Sequence, residues 1–165
     1  MDTGRFFRHL FASRWGTRRR FTDAVDSAIE AAIRAAESRT SGEIRFVIET
    51  ALDPVVAARG HAPRARALEI FGQFRVWDTE LRNGVLIYVL VADRDVEIVA
   101  DRGAAALIPP EGWEAAARRM EEEFRADRFR EGAIAGVEAV GGLLEKHFPA
   151  RAVNRDELPN QPALL

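Results

Sequence analysis

The sequence predicts an α/β fold: a small α/β/α sandwich in which a mixed sheet carries helices on both faces. Residues 43–49 and 84–92 read as strands with a helical pattern between them, and residues 95–101 read as a third strand after a tight turn. A strand–helix–strand crossover makes its two strands parallel, whereas a tight turn makes an antiparallel pair. A chain of 165 residues with 47% hydrophobic content is long enough for one such domain and too short for two.

The first half of the domain reads as helix, strand, helix. Thr22 is a typical N-cap, and apolar residues recur after it at helical spacing until Gly42 stops the pattern. Residues 43–49 (EIRFVIE) then alternate, as a strand with one apolar and one partly polar face does. Residues 63–74 carry apolar side chains at helical intervals again, which predicts the crossover helix.

A hairpin follows the crossover helix. Residues 84–92 are apolar at nearly every position, which is typical of a central strand covered on both faces. We expect Asp93 and Arg94 to form a two-residue turn. That turn would place Leu86 opposite Asp101 on the returning strand.

The remaining segments define three regions of the chain. Two further helices are expected: one begins at Pro109, and a second, the last of the chain, ends before Pro149. We therefore predict a domain over residues 22–150, a basic N-terminal arm over residues 1–21, and a C-terminal tail over residues 151–165. The tail is interrupted by prolines, and it reads as an extended strap or a disordered end.

Composition excludes several kinds of site and leaves two interpretations of the arm. The chain contains no cysteine, which excludes disulfides, thiol catalysis and cysteine-ligated metals. Residues 1–21 hold six arginines and one aspartate, whereas the rest of the chain is acidic. The arm could lie on an anionic membrane, or its apolar residues could pack on the protein's own surface, which is the interpretation we prefer. Nucleic-acid binding is not expected, because the body is acidic.

Carboxylates mark both ends of the hairpin. The N-terminal ends of two parallel strands lie together, and the hairpin returns to the same edge of the sheet. We therefore expect Glu43, Asp78, Asn83 and Asp101 to form one metal site at this rim. Carboxylate and amide oxygens suit a hard divalent cation, and we expect calcium rather than magnesium.

Three arginines near the same carboxylates leave other interpretations open. Arg45, Arg82 and Arg102 could neutralise the rim by ordinary ion pairs, without any bound ion. Arg82 and Arg102 could instead bind the phosphate group of a ligand. The sequence contains no GxSxG nucleophile motif and no phosphate loop, so no catalytic residue is evident.

Several segments together resemble the TPM domain family, which is named after a thylakoid lumen protein, a photosystem II repair protein and a worm receptor modulator. Within residues 22–150 they are SGEIRFVIE, ARALEIF, NGVLIYVLVADRDVEIVADRG and FREGAIAGVEAV followed by HFP. The resemblance is closest to a short bacterial branch that lacks a signal peptide and a membrane anchor, and the tail NRDELPNQPALL fits that branch. The family more often has two asparagines before Gly84, whereas this chain has Arg82 and Asn83.

The resemblance implies an α/β sandwich, divalent-cation binding in some members and an acid phosphatase activity proposed for plant members. Two functions follow as expectations. The first is a cation-binding, protein-interaction module in envelope or membrane-protein maintenance, with a protein partner and a cytoplasmic location that includes contact with the inner membrane. The alternative is a weak metal-assisted acid phosphatase, in which Asp78 and Asp101 hold the ion and Arg82 or Arg102 holds the phosphate. We prefer the first, because phosphate-ester hydrolysis needs a nucleophile or a tightly built metal pair.

Overall fold

The structure, a computed structural model, describes residues 1–152 and 155–165, so residues 153 and 154 of the predicted tail lie outside the described residues. The elements in chain order are α1 (Thr3–Phe11), α2 (Arg14–Arg20), α3 (Asp23–Glu37), β1 (Glu43–Glu49), α4 (Pro54–Ala58), α5 (Pro63–Gln73), β2 (Gly84–Leu90), β3 (Asp95–Ala100), α6 (Arg102–Leu107), α7 (Pro110–Arg125), α8 (Phe129–His147) and β4 (Ala163–Leu164).

The four strands form one mixed sheet in the order β3-β2-β1-β4. Strands β1 and β2 are parallel, and Glu43 pairs with Gly84 at their N-terminal ends. Strand β3 returns antiparallel to β2, and β4 lies parallel to β1 on its other side. Helices cover both faces of this sheet, so the predicted α/β fold is confirmed.

The two faces of the sheet bury different sets of residues. On one face, Ile44, Phe46 and Ile48 of β1 pack against α3, α7 and α8 in the larger core. The other face of β1 carries Val47, which packs with α4, α5 and the C-terminal tail. Every residue of β2 is buried, as expected of a central strand covered on both sides.

The predicted two-residue turn is wrong. Leu90 pairs with Asp95, and residues 91–94 form a four-residue loop in which the amide of Arg94 donates to the carbonyl of Val91 at 3.1 Å. A two-residue hairpin turn of type I′ requires a positive φ at both central residues, which Asn-Gly adopts far more readily than Asp-Arg. In the longer loop only Arg94 has a positive φ, of 52°.

The register of the hairpin therefore differs from the expected one by two residues. The amide of Asp101 donates to the carbonyl of Gly84 at 2.9 Å, so Asp101 lies beside Gly84 rather than Leu86. Because side chains alternate with a period of two, this shift leaves each side chain on its expected face.

The C-terminal tail runs alongside β1 as an extended strap over residues 155–165. Leu158 is buried in the smaller core. Leu165 donates from its amide to the carbonyl of Ile48 at 2.8 Å, which extends the pairing of β4 with β1. The tail thus completes the sheet on the side opposite β3.

The N-terminal arm is helical and docked. Helices α1 and α2 cover most of residues 1–21, and Phe21 is fully buried with its ring edge-on to the rings of Phe124 and Phe129. Over the described ranges, 1–152 and 155–165, no helix is both long and apolar enough to cross a lipid bilayer.

Candidate functional site

Close backbone approaches shape the edge of the sheet where β1 and β2 begin. A Cβ atom at Gly84 would collide with the carbonyl oxygen of Val76. A Cβ atom at Gly103 would lie 2.5 Å from the carbonyl oxygen of Leu81 and 2.6 Å from that of Arg82. The segment between α5 and β2 therefore lies directly on both glycines, which explains why the chain has glycine at these positions.

A cleft of about 350 Å³ opens beside this segment, and we call it the rim cleft. Its lining residues are Trp77, Asp78, Thr79, Arg82, Asp101 and Arg102. Two of the four predicted metal ligands, Asp78 and Asp101, are thus brought to one cavity together with both predicted phosphate-binding arginines.

The two carboxylates of the rim cleft have different surroundings. Asp101 is the N-cap of α6, and its Oδ1 accepts a hydrogen bond from the amide of Arg102 at 2.7 Å. Its Oδ2 is buried and has no hydrogen-bond partner within the described part of the chain. Asp78 is half exposed and forms an ion pair with Arg75 at 2.7 Å. An exposed pair of this kind contributes little to stability and can be exchanged for another partner.

Asn83 joins the beginnings of the two parallel strands. Its Nδ2 donates to the carbonyl of Ser41 at 2.8 Å, and its amide donates to Oγ1 of Thr79 at 3.1 Å. Asn83 is fully buried, and its Oδ1 has no partner among the residues that the structure describes. It does not line the rim cleft.

Glu43 belongs to a separate group of carboxylates, which we call the acidic triad. Oxygens of Glu37, Glu43 and Asp156 lie within 4.8 Å of one another. Oε2 of Glu43 also accepts hydrogen bonds from the amides of Glu157 and Leu158, both at 3.1 Å. Glu37 and Glu43 are buried, whereas Asp156 is exposed.

Burial shifts the ionisation of two triad members. It is the main reason that the pKa of Glu37 is raised to about 8; the charges of Glu43 and Asp156 act in the same direction, and a hydrogen bond from the amide of Ile44 acts against it. Burial likewise raises the pKa of Glu43 to about 7, against the hydrogen bonds from Leu158 and Glu157. Glu37 and, in part, Glu43 therefore hold protons near neutral pH unless a cation displaces them.

A buried amide adjoins the triad. Asn160 is 8% exposed, and its Nδ2 donates to Oδ2 of Asp156 at 3.2 Å. Its Oδ1 is buried without a hydrogen-bond partner in residues 1–152 and 155–165. The three carboxylates offer oxygen atoms alone, which fits calcium or magnesium and not a sulfur-preferring metal.

Arg45, expected as a neutralising partner for the rim, binds the tail instead. Its guanidinium donates to the carbonyls of Pro159 and Gln161 at 2.7 and 2.5 Å, and it lies over the ring of Phe74. On the partly polar face of β1, the backbone of the tail thus satisfies Glu43 and Arg45, whereas Glu49 is bound by Arg66 and Tyr88.

Sequence reasoning missed two members of the triad, Glu37 and Asp156. One available signal was that Glu37 lies in the last turn of α3, where the helix dipole disfavours a negative charge. Asp156 offered no comparable signal, because its place depends on the return of the tail to β1.

Comparison with known proteins places the chain in a family. The sequence profile of the TPM domain matches residues 18–143. The chain belongs to the TPM domain family. The predicted membership is therefore confirmed. A separate search of curated proteins found no match.

Solved structures agree with this assignment. The BA42 protein from the psychrophilic bacterium Bizionia argentinensis is 33% identical, with a TM-score of 0.77, over 87% of this chain and 94% of that chain. The N-terminal domain of a protein from P. gingivalis is 23% identical, with a TM-score of 0.61, over 77% of this chain and 78% of the other. The N-terminal domain of a Corynebacterium glutamicum protein is 15% identical, with a TM-score of 0.56, over 74% and 73%. The last two show the fold alone.

Proposed function

We propose that this TPM domain is a divalent-cation-binding module in which the acidic triad holds the ion. The observation that supports this most directly is the approach of three carboxylates, two of them buried, to within 4.8 Å of one another. Like charges this close repel one another unless they are protonated or bridged by a cation. The unpartnered Oδ1 of Asn160 is a second observation in favour, since rotation of the amide would turn that oxygen toward the ion.

Calcium fits the proposed site better than magnesium. The ligands come from three separate segments, α3, β1 and the tail, and one of them is exposed. Calcium accepts irregular geometry and six to eight oxygen ligands, including water, whereas magnesium demands a near-ideal octahedron. In this proposal, water molecules supply the remaining ligands, and they reach the ion from the exposed side of Asp156.

In this proposal the ion fastens the tail to the body of the domain. Glu43 contacts the tail amides and Asp156 lies on the tail itself, so a cation between them reinforces an existing junction. The ordered strap then offers a surface to a protein partner. A role in envelope or membrane-protein maintenance and a cytoplasmic location belong to the same proposal and are supported by the family resemblance alone.

Thermal unfolding with added calcium tests the proposal. At a concentration ten times the dissociation constant, the ion should stabilise the native chain by about 1.4 kcal/mol, which raises Tm by about 3–6 °C in a domain of this size. Asp156→Asn should abolish the shift, and its exposed position leaves the core intact. Asp78→Asn is the matched control and should retain the shift. A shift that survives Asp156→Asn and disappears in Asp78→Asn would move the ion to the rim cleft, and a larger shift with magnesium would overturn the choice of calcium.

A metal-assisted acid phosphatase is the second candidate, and the rim cleft is the observation that favours it. Two carboxylates and two arginines line one cavity, and Asp101 has a buried oxygen without a partner in the described residues. In this candidate Asp78 and Asp101 hold the metal, and Arg82 or Arg102 stabilises the charge on the phosphate.

Hydrolysis of p-nitrophenyl phosphate with added divalent metal tests the enzyme. Asp78→Asn should lose the activity while the circular dichroism spectrum stays unchanged, because the side chain is half exposed. Asp156→Asn is the control and should retain it. Activity that is absent in the native protein, or unaffected by Asp78→Asn, would exclude the rim cleft as an active site.

A further inference from the structure

Helix α1 is docked on the body by its polar side. Arg5 donates through Nε and Nη2 to Oδ2 of Asp93 at 2.9 and 2.7 Å. His9 is buried, accepts a hydrogen bond from the amide of Leu52 on Nδ1, and places Nε2 3.1 Å from Oδ1 of Asp93. Because Nδ1 is an acceptor here, the ring proton of neutral His9 is on Nε2, toward Asp93.

The opposite side of α1 is apolar and faces solvent. Phe7, Leu10 and Phe11 are 53%, 49% and 76% exposed, and the rings of Phe7 and Phe11 stack at 6.0 Å. The expected packing of these three side chains on the protein's own surface is therefore wrong. A surface helix normally turns its apolar face inward, so α1 has the reverse orientation.

Helix α2 repeats the arrangement. Thr17 faces inward and is buried, whereas Trp15 is 70% exposed. Arg19, one turn along, lies over the Trp15 ring at 4.7 Å. Residues 3–21 contain six arginines and no acidic residue, so the exposed surface of both helices combines aromatic side chains with positive charge.

We propose that the exposed side of α1 and α2, formed by Phe7, Leu10, Phe11 and Trp15 with Arg14 and Arg19, binds an anionic lipid membrane. The positive charge of this surface favours an anionic membrane as its binding partner. Aromatic and leucine side chains enter the boundary between headgroups and acyl chains, and arginines contact the phosphates. The rest of the chain is acidic and is repelled by the same lipids, which orients the arm toward them. This proposal does not depend on the cation site.

A second copy of the chain is a poorer occupant. A two-fold interface would bring the same surface of each copy together. The arginines of one copy would then face those of the other, with no carboxylate from α1 or α2 to compensate. An anionic membrane instead presents negatively charged headgroups to all the exposed arginines of α1 and α2.

Co-sedimentation with vesicles tests the proposal. The full chain should bind vesicles of phosphatidylcholine with phosphatidylglycerol in a 3:1 ratio, and bind pure phosphatidylcholine much more weakly, because each arginine adds on the order of fivefold in affinity for an anionic surface. Added salt should reduce this binding. Phe7→Ser with Phe11→Ser should weaken it at least about tenfold, since burial of aromatic surface is lost. Leu68→Ser with Leu107→Ser is the matched control, because both leucines are 53% exposed, and it should bind like the native chain.

A second pair of variants keeps the test decisive if the first pair fails to fold. The double variant Arg14→Gln with Arg19→Gln should lose binding to anionic vesicles. The double variant Arg119→Gln with Arg130→Gln is the control, because both arginines are exposed and lie outside the arm, and it should bind like the native chain. No binding to anionic vesicles, or undiminished binding in the variants at the arm, would overturn the proposal. If the native chain forms a dimer and the double variant Phe7→Ser with Phe11→Ser is a monomer, the surface binds a second copy instead, and the proposal is overturned. Tighter binding to single-stranded DNA than to the vesicles would also overturn it.

Discussion

Oε2 of Glu43 accepts a hydrogen bond from the amide of Leu158 at 3.1 Å, across 115 residues of sequence. Glu43 is the first residue of β1 and is only 1% exposed, so its hydrogen bonds are provided by a segment that folds back from the far end of the chain. A buried carboxylate without partners is costly. The C-terminal tail is therefore a structural part of the domain.

Removal of the Leu158 side chain should destabilise the protein. Leu158→Ala should lower the free energy of unfolding by about 2–4 kcal/mol, because it removes a buried side chain and leaves a cavity. Urea denaturation measures the change. Leu68→Ala is the matched control at an exposed leucine and should change stability by less than about 0.5 kcal/mol. Equal effects of the two substitutions would contradict docking of the tail.

The stability of the metal-free protein should fall as pH rises from about 5 to 8. The pKa of Glu37 is raised to about 8 from an ordinary value of 4.5, so the folded state favours the protonated form. This contribution is fully present below about pH 4.5 and is lost as pH rises through the folded-state value. Urea denaturation in EDTA across this range measures it, and Glu37→Gln should flatten the profile. A native profile that rises with pH would contradict the raised pKa.

Calcium affinity should show the opposite trend with pH. Binding requires ionised carboxylates, so the ion must displace the protons of Glu37 and Glu43 when the pH is near or below their raised pKa values of about 8 and 7. The association constant should rise up to about tenfold per pH unit for each proton released. Calorimetry at pH 6 and pH 8, in buffers of different ionisation enthalpy, measures both the affinity and the protons. Affinity independent of pH would place the ion elsewhere.

Arg82 has a left-handed backbone conformation, which asparagine adopts more readily than arginine. Its φ is 53°, in the left-handed region that asparagine adopts more readily than most side chains. Arg82→Asn should therefore stabilise the protein by about 0.5–1 kcal/mol. Arg82→Ala is the control: it removes the same charge and keeps the strain, so it should give no gain. If both variants gain equally, charge rather than backbone strain is the cause.

Gly84 should not tolerate a side chain. Gly84→Ala places a Cβ against the backbone carbonyl of Val76, which cannot move without displacing the segment that lines the rim cleft. We expect a loss of roughly 3 kcal/mol or more. Gly142→Ala, on α8 with open space around its Cβ, should instead gain up to about 1 kcal/mol. Thermal unfolding of both variants measures the difference, and a folded Gly84→Ala of native stability would contradict the close approach.

Local patterns were sufficient to predict the central part of the fold. The alternation in residues 43–49 and the apolar run from Gly84 predicted β1 and β2, and a crossover helix leaves parallel pairing as the ordinary solution. The hairpin register was not predictable from the same rules, because Asp93-Arg94 does not favour the tight turn and its neighbours bond to β1 instead. The amides of Val91 and Ala92 donate to Glu49 and Thr50.

The sequence by itself determined where α3, β1, α5, β2, β3, α7 and α8 lie, that the sheet is mixed, and that carboxylate and amide side chains lie where β1 and β2 begin. Periodicity and chain connectivity are local properties, and they carry that information. Only the tertiary structure decided that Glu43 joins Glu37 and Asp156, while Asp78 and Asp101 line a different cavity. The reason is that these carboxylates are brought together by the return of the tail to Glu43 and by the packing of residues 81–82 on Gly103, which are contacts between segments that are not neighbours in the chain.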